Sequence, residues 1–223
     1  MDDGTGHLLK AASDLFAEGR LEAGAAVLER AVTAYPGCLE ARRMIGLIRF
    51  REGNFDAAAV LLETRADARP DDIEAMLHLA MARLKIGERA GGDAVFNDLE
   101  RRFPANPDIP FSRARALKEK GRAADAEAAY RRVLAIAPAH MAARLGLARL
   151  LSNGGRHGEA LDFLAAPLEL RPRNPRVLEA AIEALAAMGR TEEARARCRA
   201  LIEKEPENAI ARRVLAHVTG EKR

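Results

Sequence analysis

Small and apolar side chains recur along this chain at a fixed spacing of 34 residues. The first series is small in five of its six members: Ala12, Gly46, Ala80, Ala114, Ala148 and Ile182. The second is small throughout: Gly24, Ala58, Gly92, Ala126, Ala160 and Ala194. The third is mostly bulkier: Leu28, Leu62, Phe96, Tyr130, Leu164 and Cys198. Small side chains at fixed sites let two helix backbones approach closely. The pattern therefore predicts pairs of packed helices.

Glycine and proline follow the same spacing. The glycines are Gly19, Gly53, Gly87, Gly121, Gly155 and Gly189, and the prolines are Pro36, Pro70, Pro104, Pro138, Pro172 and Pro206. The glycines fall between two stretches of helical period, where glycine supports a tight turn at a helix C-terminus. The prolines follow the second stretch, where proline stops a helix. Each unit is thus predicted to be helix A, turn, helix B, turn.

Six such units fill most of the chain, and a short segment follows them. The predicted units are 5–38, 39–72, 73–106, 107–140, 141–174 and 175–208. Residues 209–223 are predicted to form a capping helix and a short tail. One face of that helix is apolar, with Ile210, Val214, Leu215 and Val218, and the other is polar, with Arg212, Arg213 and His217. A repeat stack needs such a helix at its open end to separate its core from water.

Local signals modify three of the predicted helices. Asp108 is predicted to cap the fourth helix A and Pro110 to lie in its first turn, so that this helix starts late. Asp72 is predicted to cap the third helix A. Pro167 lies inside the fifth helix B and is expected to kink it.

The repeat resembles the tetratricopeptide repeat family, which has a small residue at position 8, glycine at 15, alanine or glycine at 20, a large residue at 24 and proline at 32 of each unit. The resemblance implies an all-α, right-handed solenoid of about thirteen helices without strands, serving as a non-catalytic scaffold for protein–protein interaction. Three positions depart from the family. Position 27, usually small, is Ala31 in the first unit and then Arg65, Leu99, Val133, Pro167 and Leu201. Position 4 lacks its aromatic residue and includes Arg42 and Arg144, and position 11 is Arg49 and Arg83 in the second and third units.

Composition is typical of a folded protein that does not cross a membrane. Hydrophobic residues make up 48% of the chain and charged residues 31%, which argues against bulk disorder. No apolar run approaches the roughly 20 residues that span a bilayer, and the N-terminal residues do not resemble a secretory signal. The two cysteines, Cys38 and Cys198, form no disulfide framework. These features favour a reducing, cytoplasmic location.

Charge is unevenly distributed along the chain. Residues 1–100 hold 12 Lys/Arg and 18 Asp/Glu, whereas residues 101–223 hold 24 and 15. One interpretation is that these charges are ordinary solvated helix faces. The other is that the basic half meets an acidic partner.

Candidate chemistry is sparse. None of the five histidines has zinc-ligand spacing relative to another histidine or to a cysteine. The glycine-rich stretch 153–158 lacks the lysine of a phosphate-binding loop, and Gly155 already belongs to the turn series. Cys198 is assigned to the core. We therefore predict no catalytic residue, metal or cofactor, and a protein that is not an enzyme.

The surface of the A helices is the predicted binding site. The resemblance implies that positions 2, 5, 9, 12 and 13 of helix A face a concave groove. The candidate groove residues are Arg43, Leu47, Phe50, Arg51, Leu77, Met81, Leu84, Lys85, Phe111, Arg115, Lys118, Leu145, Arg149 and Arg176. They predict a protein or peptide partner with acidic and apolar side chains. The alternative is that Leu77, Leu84 and Leu145 belong partly to the core and the arginines only keep the protein soluble.

The sequence also bears on three other kinds of partner: chaperone C-termini, a second copy of the chain, and RNA. The carboxylate clamp that some family members use for chaperone C-termini is not matched, because the corresponding positions hold Leu9, Ser13, Met44, Glu74 and His78. A self-associating scaffold is the alternative function. RNA binding by the basic half is disfavoured, because readers of RNA need aromatic stacking platforms. Of the candidates there, Phe111 and Tyr130, the second is assigned to the core.

Overall fold

The fold was analysed in a computed structural model that describes residues 3–170 and 174–219, apart from the side chains of residues 3, 65, 169, 170, 210, 217 and 218. The described residues form thirteen α-helices and no strand, as the repeat predicts. The chain divides into two compact units, Met1–Lys120 and Gly121–Arg223. The division falls in the turn between the two helices of the fourth predicted repeat.

Unit 1 contains seven helices within its described residues. They are α1 (Asp3–Ala17), α2 (Leu21–Ala34), α3 (Leu39–Arg51), α4 (Phe55–Ala68), α5 (Ile73–Ile86), α6 (Arg89–Arg102) and α7 (Asp108–Glu119). Helices α1 and α2, α3 and α4, and α5 and α6 pack as hairpins. The A helices α3, α5 and α7 also contact one another in succession. They therefore form a continuous surface, which we call the A-helix face of unit 1.

Unit 2 contains six helices in the part of it that the structure describes. They are α8 (Ala123–Ile136), α9 (Met141–Asn153), α10 (His157–Leu170), α11 (Pro175–Ala187), α12 (Thr191–Lys204) and α13 (Ala209–Thr219). The A helices α9, α11 and α13 contact one another in the same succession. Unit 2 thus repeats the architecture of unit 1.

The turn residues confirm the predicted register. All six glycines of the series have φ between +70° and +95°, and no described residue of another type has positive φ. Glycine adopts this backbone conformation without the steric cost that a Cβ atom imposes. Helices α2, α4, α6, α8 and α12 each end two residues before their proline. Pro172 lies outside the described residues.

The three recurring series form the core. Every member is buried, and Leu28, Leu62, Phe96 and Leu164 have no exposed surface. Tyr130 is 2% exposed and Cys198 is fully buried. Burial raises the pKa of the Cys198 thiol, which keeps it in its unreactive form.

The departures from the family pattern at positions 11 and 4 have structural explanations. Arg49 and Arg83, at position 11, form ion pairs with Glu29 and Glu63 of the preceding helix B. At position 4, Arg42 Nε donates to the carbonyl of Pro36 at 2.7 Å, and Arg144 Nε donates to that of Pro138 at 2.8 Å. These arginines therefore connect the second, third and fifth repeats to the repeats before them.

The predicted local signals are confirmed in part. Helix α7 starts one position later in its repeat than the A helices of the second, third, fifth and sixth repeats. Its N-cap is Pro107, however, so Asp108 is the first helical residue and not the cap. The side chain of Asn106 accepts from the Asp108 backbone at 3.0 Å instead. Asp72 caps α5 as predicted, accepting from the Ala75 backbone at 3.1 Å.

The end of the chain has the predicted amphipathic helix. In α13, Ala211 and Val214 are buried in a cluster with Leu178, Ile182 and Leu201, whereas Arg212 and Arg213 are exposed. The side chains of Ile210, His217 and Val218 lie outside the described residues. In α10, the helix continues through the buried Pro167 to Leu170, and the kink there stays a prediction.

Candidate functional site: the A-helix face and pocket of unit 1

A pocket of about 430 Å³ opens between α1, α2 and α3. Five apolar side chains and three charged ones line it: Phe16, Leu21, Met44, Leu47, Ile48, Glu22, Arg51 and Glu52. We call it the α1–α3 pocket. Leu21 stands at its edge with 65% of its surface exposed. This exposure adds apolar surface at the edge of the pocket.

Phe16 forms the aromatic wall of this pocket, and its position depends on the absence of a side chain at Gly24. The ring of Phe16 lies against Gly24, and a Cβ atom at that glycine would collide with it. Because position 20 of the first repeat is glycine, the Phe16 ring packs directly against α2. Phe16 stands at position 12, one of the positions assigned to the groove by the family resemblance.

At the next repeat interface, between α3, α4 and α5, aromatic side chains stand at the positions that correspond to Phe16, Leu21 and Met44. Phe50, at position 12, makes edge-to-face contacts with Phe55 at 5.2 Å and with His78 at 5.0 Å between ring centroids. The Lys85 ammonium lies 5.6 Å from the centre of the Phe55 ring. Phe55 and His78 correspond to Leu21 and Met44 of the α1–α3 pocket. Aromatic contacts therefore occupy at this interface the space that is open at the first one.

Two of the predicted groove cations are already neutralised within unit 1. Arg43 donates to Glu40 and Glu74, each at 2.8 Å, and so joins α3 to α5. The hydrogen bond that Arg43 donates to Glu40 raises the pKa of Arg43, although burial opposes this rise. Lys85 pairs with Glu119 and joins α5 to α7. These pairs connect the A helices α3, α5 and α7 in succession.

Three other predicted cations of unit 1 have no such partner. Arg51, Arg115 and Lys118 are exposed, and none of them forms an ion pair or hydrogen bond with the described part of the chain. The predicted apolar residues Leu47, Leu77, Met81 and Phe111 lie on the same helices and are half-buried. The A-helix face thus combines accessible apolar side chains with uncompensated positive charge.

Leu84 does not belong to this accessible surface. It is only 3% exposed, and its side chain packs against Gly92 of α6. The glycine leaves space that the leucine fills, so the alternative interpretation is correct for this residue. Its assignment as an apolar anchor for a partner was wrong.

The remaining predicted groove residues lie in unit 2. Leu145 is half-buried on α9, and Arg149 and Arg176 are exposed on α9 and α11 without an ion pair to any described residue. Farther along, Glu183 of α11 pairs with Arg213 of α13 at 3.5 Å. The A helices of unit 2 therefore present separate cations and one neutralised pair.

The glycine-rich stretch 153–158 is a structural turn. Gly155 has φ +78° between α9 and α10. The neighbouring Arg156 makes paired contacts with Glu159 at 2.6 Å and with Glu127 at 2.8 Å. Hydrogen bonding to these carboxylates, first to Glu159, raises the pKa of Arg156, and Arg156 in turn lowers the pKa of Glu159. The one cation of this loop is thus committed within the protein.

No group of three histidine, cysteine or acidic residues in the described part of the chain is arranged to hold a metal ion. None of the helices that the structure describes has both the length and the apolar character that crossing a membrane requires.

Comparison with known families decides the classification. Two family models, each described as a tetratricopeptide repeat, match residues 9–73 and 77–140 and residues 117–182 and 154–218. The chain belongs to the tetratricopeptide repeat family. No curated protein matches its sequence at a significant level.

Solved structures of tetratricopeptide repeat proteins share the fold. A tetratricopeptide repeat protein from Parabacteroides merdae is 16% identical, with a TM-score of 0.71 over 100% of this chain and 94% of its own. Yeast Tom70 is 16% identical, with a TM-score of 0.66 over 88% of this chain. The chain spans only 42% of that Tom70 structure. MamA of strain MSR-1 is 26% identical, with a TM-score of 0.58 over 77% of this chain and 98% of its own.

Only some of the residues that line the α1–α3 pocket were predicted from the sequence. Leu47 and Arg51 were predicted from their positions in the tetratricopeptide repeat. Phe16, Leu21, Met44 and Ile48 were missed. Phe16 carried a signal, because it stands at groove position 12 of the first repeat. Leu21 carried none, because its exposure depends on how α2 packs against α3.

Proposed function

We propose that unit 1 binds a segment of a partner protein along α3, α5 and α7, and that this segment carries both apolar and acidic side chains. Tetratricopeptide repeats generally mediate protein–protein binding, and their proteins are in general non-catalytic scaffolds. The proposal adds where this chain binds and what chemistry it selects.

The free cations of the A-helix face are the observation that carries the proposal. Arg43 and Lys85 are paired within the protein, whereas Arg51, Arg115 and Lys118 keep their charge uncompensated among the described residues. A carboxylate on a partner finds complementary charge at these three side chains. Exposed ion pairs contribute only about 0–1 kcal/mol each. Apolar contacts at Leu47, Leu77 and Met81 therefore supply most of the affinity, and the cations set association rate and selectivity.

The test reverses two free cations and compares them with two that lie elsewhere. After a partner is captured by crosslinking, affinities are measured at low salt by titration calorimetry for Arg51→Glu with Arg115→Glu. The control is Arg30→Glu with Arg89→Glu, which changes the net charge equally on the B helices α2 and α6. We expect at least a tenfold loss, about 1.4 kcal/mol, for the first variant only. Equal affinity of a folded R51E/R115E variant and wild type would refute the proposal.

Two companion measurements separate the other candidates. Light scattering of the purified chain reports whether the captured partner is a second copy. Titration with oligonucleotides tests RNA binding, which is disfavoured because Tyr130, one of the candidate stacking platforms, is only 2% exposed.

A further inference from the structure

We infer that the α1–α3 pocket receives the apolar face of a partner helix that carries an acidic residue on one side of that face and a basic residue on the other. The two free charges at the pocket rim would then fix the direction in which the helix lies. This inference rests on the proposed function and adds the partner's shape and charge pattern.

The volume of the pocket indicates more than one anchoring side chain. A space of about 430 Å³ is in the range of cavities that enclose most of a drug-sized ligand. A single aliphatic side chain would leave much of it unfilled and would lose contacts with the walls. Two apolar side chains one helical turn apart present adjacent bulk from a single segment, which is how amphipathic helices fill apolar grooves.

The walls are suited to such a partner. Phe16, Leu47 and Ile48 provide apolar surface from α1 and α3, and Leu21 exposes 65% of its surface at the start of α2. Met44 is the adaptable element, because its flexible thioether repacks around differently shaped anchors. A bound helix would remove Leu21 from water, which is favourable for an apolar side chain.

The rim carries two opposite charges that are not used within the described protein. Arg51 is at the end of α3 and Glu22 is in the first turn of α2, and neither forms an ion pair with the other or with another described residue. The third rim charge, Glu52, is held by Arg49 at 2.5 Å. A helix with its acid near Arg51 and its base near Glu22 makes two attractions. The same helix reversed makes two repulsions, so direction is discriminated.

At the second repeat interface, aromatic rings stand at the equivalent positions. Phe50, Phe55 and His78 occupy its space through their ring contacts. Lys85, which corresponds to Arg51, is engaged by Glu119 and by the Phe55 ring. The same residue types, placed at the equivalent positions of the first interface, define a variant that fills the α1–α3 pocket.

The experiment selects random peptides displayed on phage against the full chain. The pocket is filled in L21F/M44H, which copies Phe55 and His78 of the second interface. The control is V60F, since Val60 is also 65% exposed but lies on α4, outside the pocket. The rim charges are exchanged in R51E/E22R. Circular dichroism and thermal unfolding establish that each variant is folded, and selected peptides are synthesised for anisotropy titrations.

We expect enriched peptides to share apolar residues spaced by three or four, flanked by an acid on one side and a base on the other. Their affinity for L21F/M44H should fall at least tenfold, whereas their affinity for V60F should stay unchanged. Peptides whose two flanking charges are exchanged should bind R51E/E22R better than the original peptides do. The methyl resonance of Met44 should shift on binding. If L21F/M44H does not fold, the folded charge-exchange variant and the Met44 resonance decide the question.

Several results would overturn the inference. One is enrichment of the same peptides on wild type and on folded L21F/M44H, and another is indifference of the peptides to the charge exchange. If those peptides still lose affinity for R51E/R115E, the proposed function stands and only the pocket assignment fails. Failure to enrich any peptide on wild type over the filled variant also overturns it.

Discussion

The first and second repeat interfaces of unit 1 use the same positions in opposite ways. At the second interface, Phe50 contacts both Phe55 and His78, and Lys85 is paired with Glu119. At the first, Phe16 lines an open pocket beside Leu21 and Met44, and Arg51 has no ion pair among the described residues. The backbone repeats every 34 residues, but the side chains decide whether an interface is closed by the protein itself or left available to a partner.

This difference shows how a repeat protein can carry a local site without changing its fold. Each repeat contacts mainly its neighbours, so a change at one interface has little effect on distant ones. Substitutions at positions 6, 12 and 17 should therefore alter either stability or binding, depending on the interface. Four sets of variants test this difference between the first and second repeat interfaces.

The largest expected effect concerns the aromatic residue at position 12. Phe50→Ala should lower the free energy of unfolding by about 2–3 kcal/mol, because a half-buried ring with two aromatic neighbours is removed. Phe16→Ala should cost about 1 kcal/mol, since part of that ring faces an open pocket. Denaturant unfolding of both variants measures the difference. Equal costs would show that the two interfaces are packed alike.

Closing the pocket should stabilise the protein. L21F/M44H should raise the free energy of unfolding by about 1 kcal/mol, because it adds aromatic contacts of the kind seen at the second interface. The same denaturant titration checks this, with V60F as the control that gains an exposed ring without new partners. A loss of stability in L21F/M44H would mean that the added side chains do not fit the space between α1, α2 and α3.

Lys85 should contribute modestly through charge. Lys85→Met removes the ion pair with Glu119 and the contact with the Phe55 ring, and we expect a cost of about 0.5–1 kcal/mol at low salt. The cost should shrink as salt is added, because partly exposed charges are screened. Unfolding of wild type and variant at two salt concentrations provides the measurement. A cost that does not depend on salt would point to packing of the lysine stem rather than to its charge.

The smallest effect should be at Arg51. Arg51→Gln should change the free energy of unfolding by less than about 0.5 kcal/mol, because this side chain has no partner to lose among the described residues. Arg49→Gln is the matched comparison on the same helix and should cost more, since Arg49 pairs with Glu29 and Glu52. If Arg51→Gln proved the more destabilising of the two, Arg51 would be structural rather than free for a partner.

Much of the fold was predictable because repeat structure depends on local signals. The positions of small residues, turn glycines and stop prolines predicted the helices, their order and the core, down to the burial of Tyr130 and Cys198. These features follow from backbone preferences and from contacts between adjacent segments. The sequence also predicted Leu47 and Arg51, which line the α1–α3 pocket, through their positions in the tetratricopeptide repeat.

The sequence alone therefore determined the helices, the turn glycines and the departures at positions 4 and 11. Only the tertiary structure decided what individual side chains do. Leu77 and Leu84 stand at groove positions of the same helix, yet Leu84 is buried because Gly92 leaves space for it. Arg51 has no ion pair with any residue that the structure describes, whereas the corresponding Lys85 is paired, because Glu119 lies on the adjacent helix. Exposure, pairing and open volume depend on which atoms of neighbouring helices meet, and a spacing of residues along one chain does not contain that information.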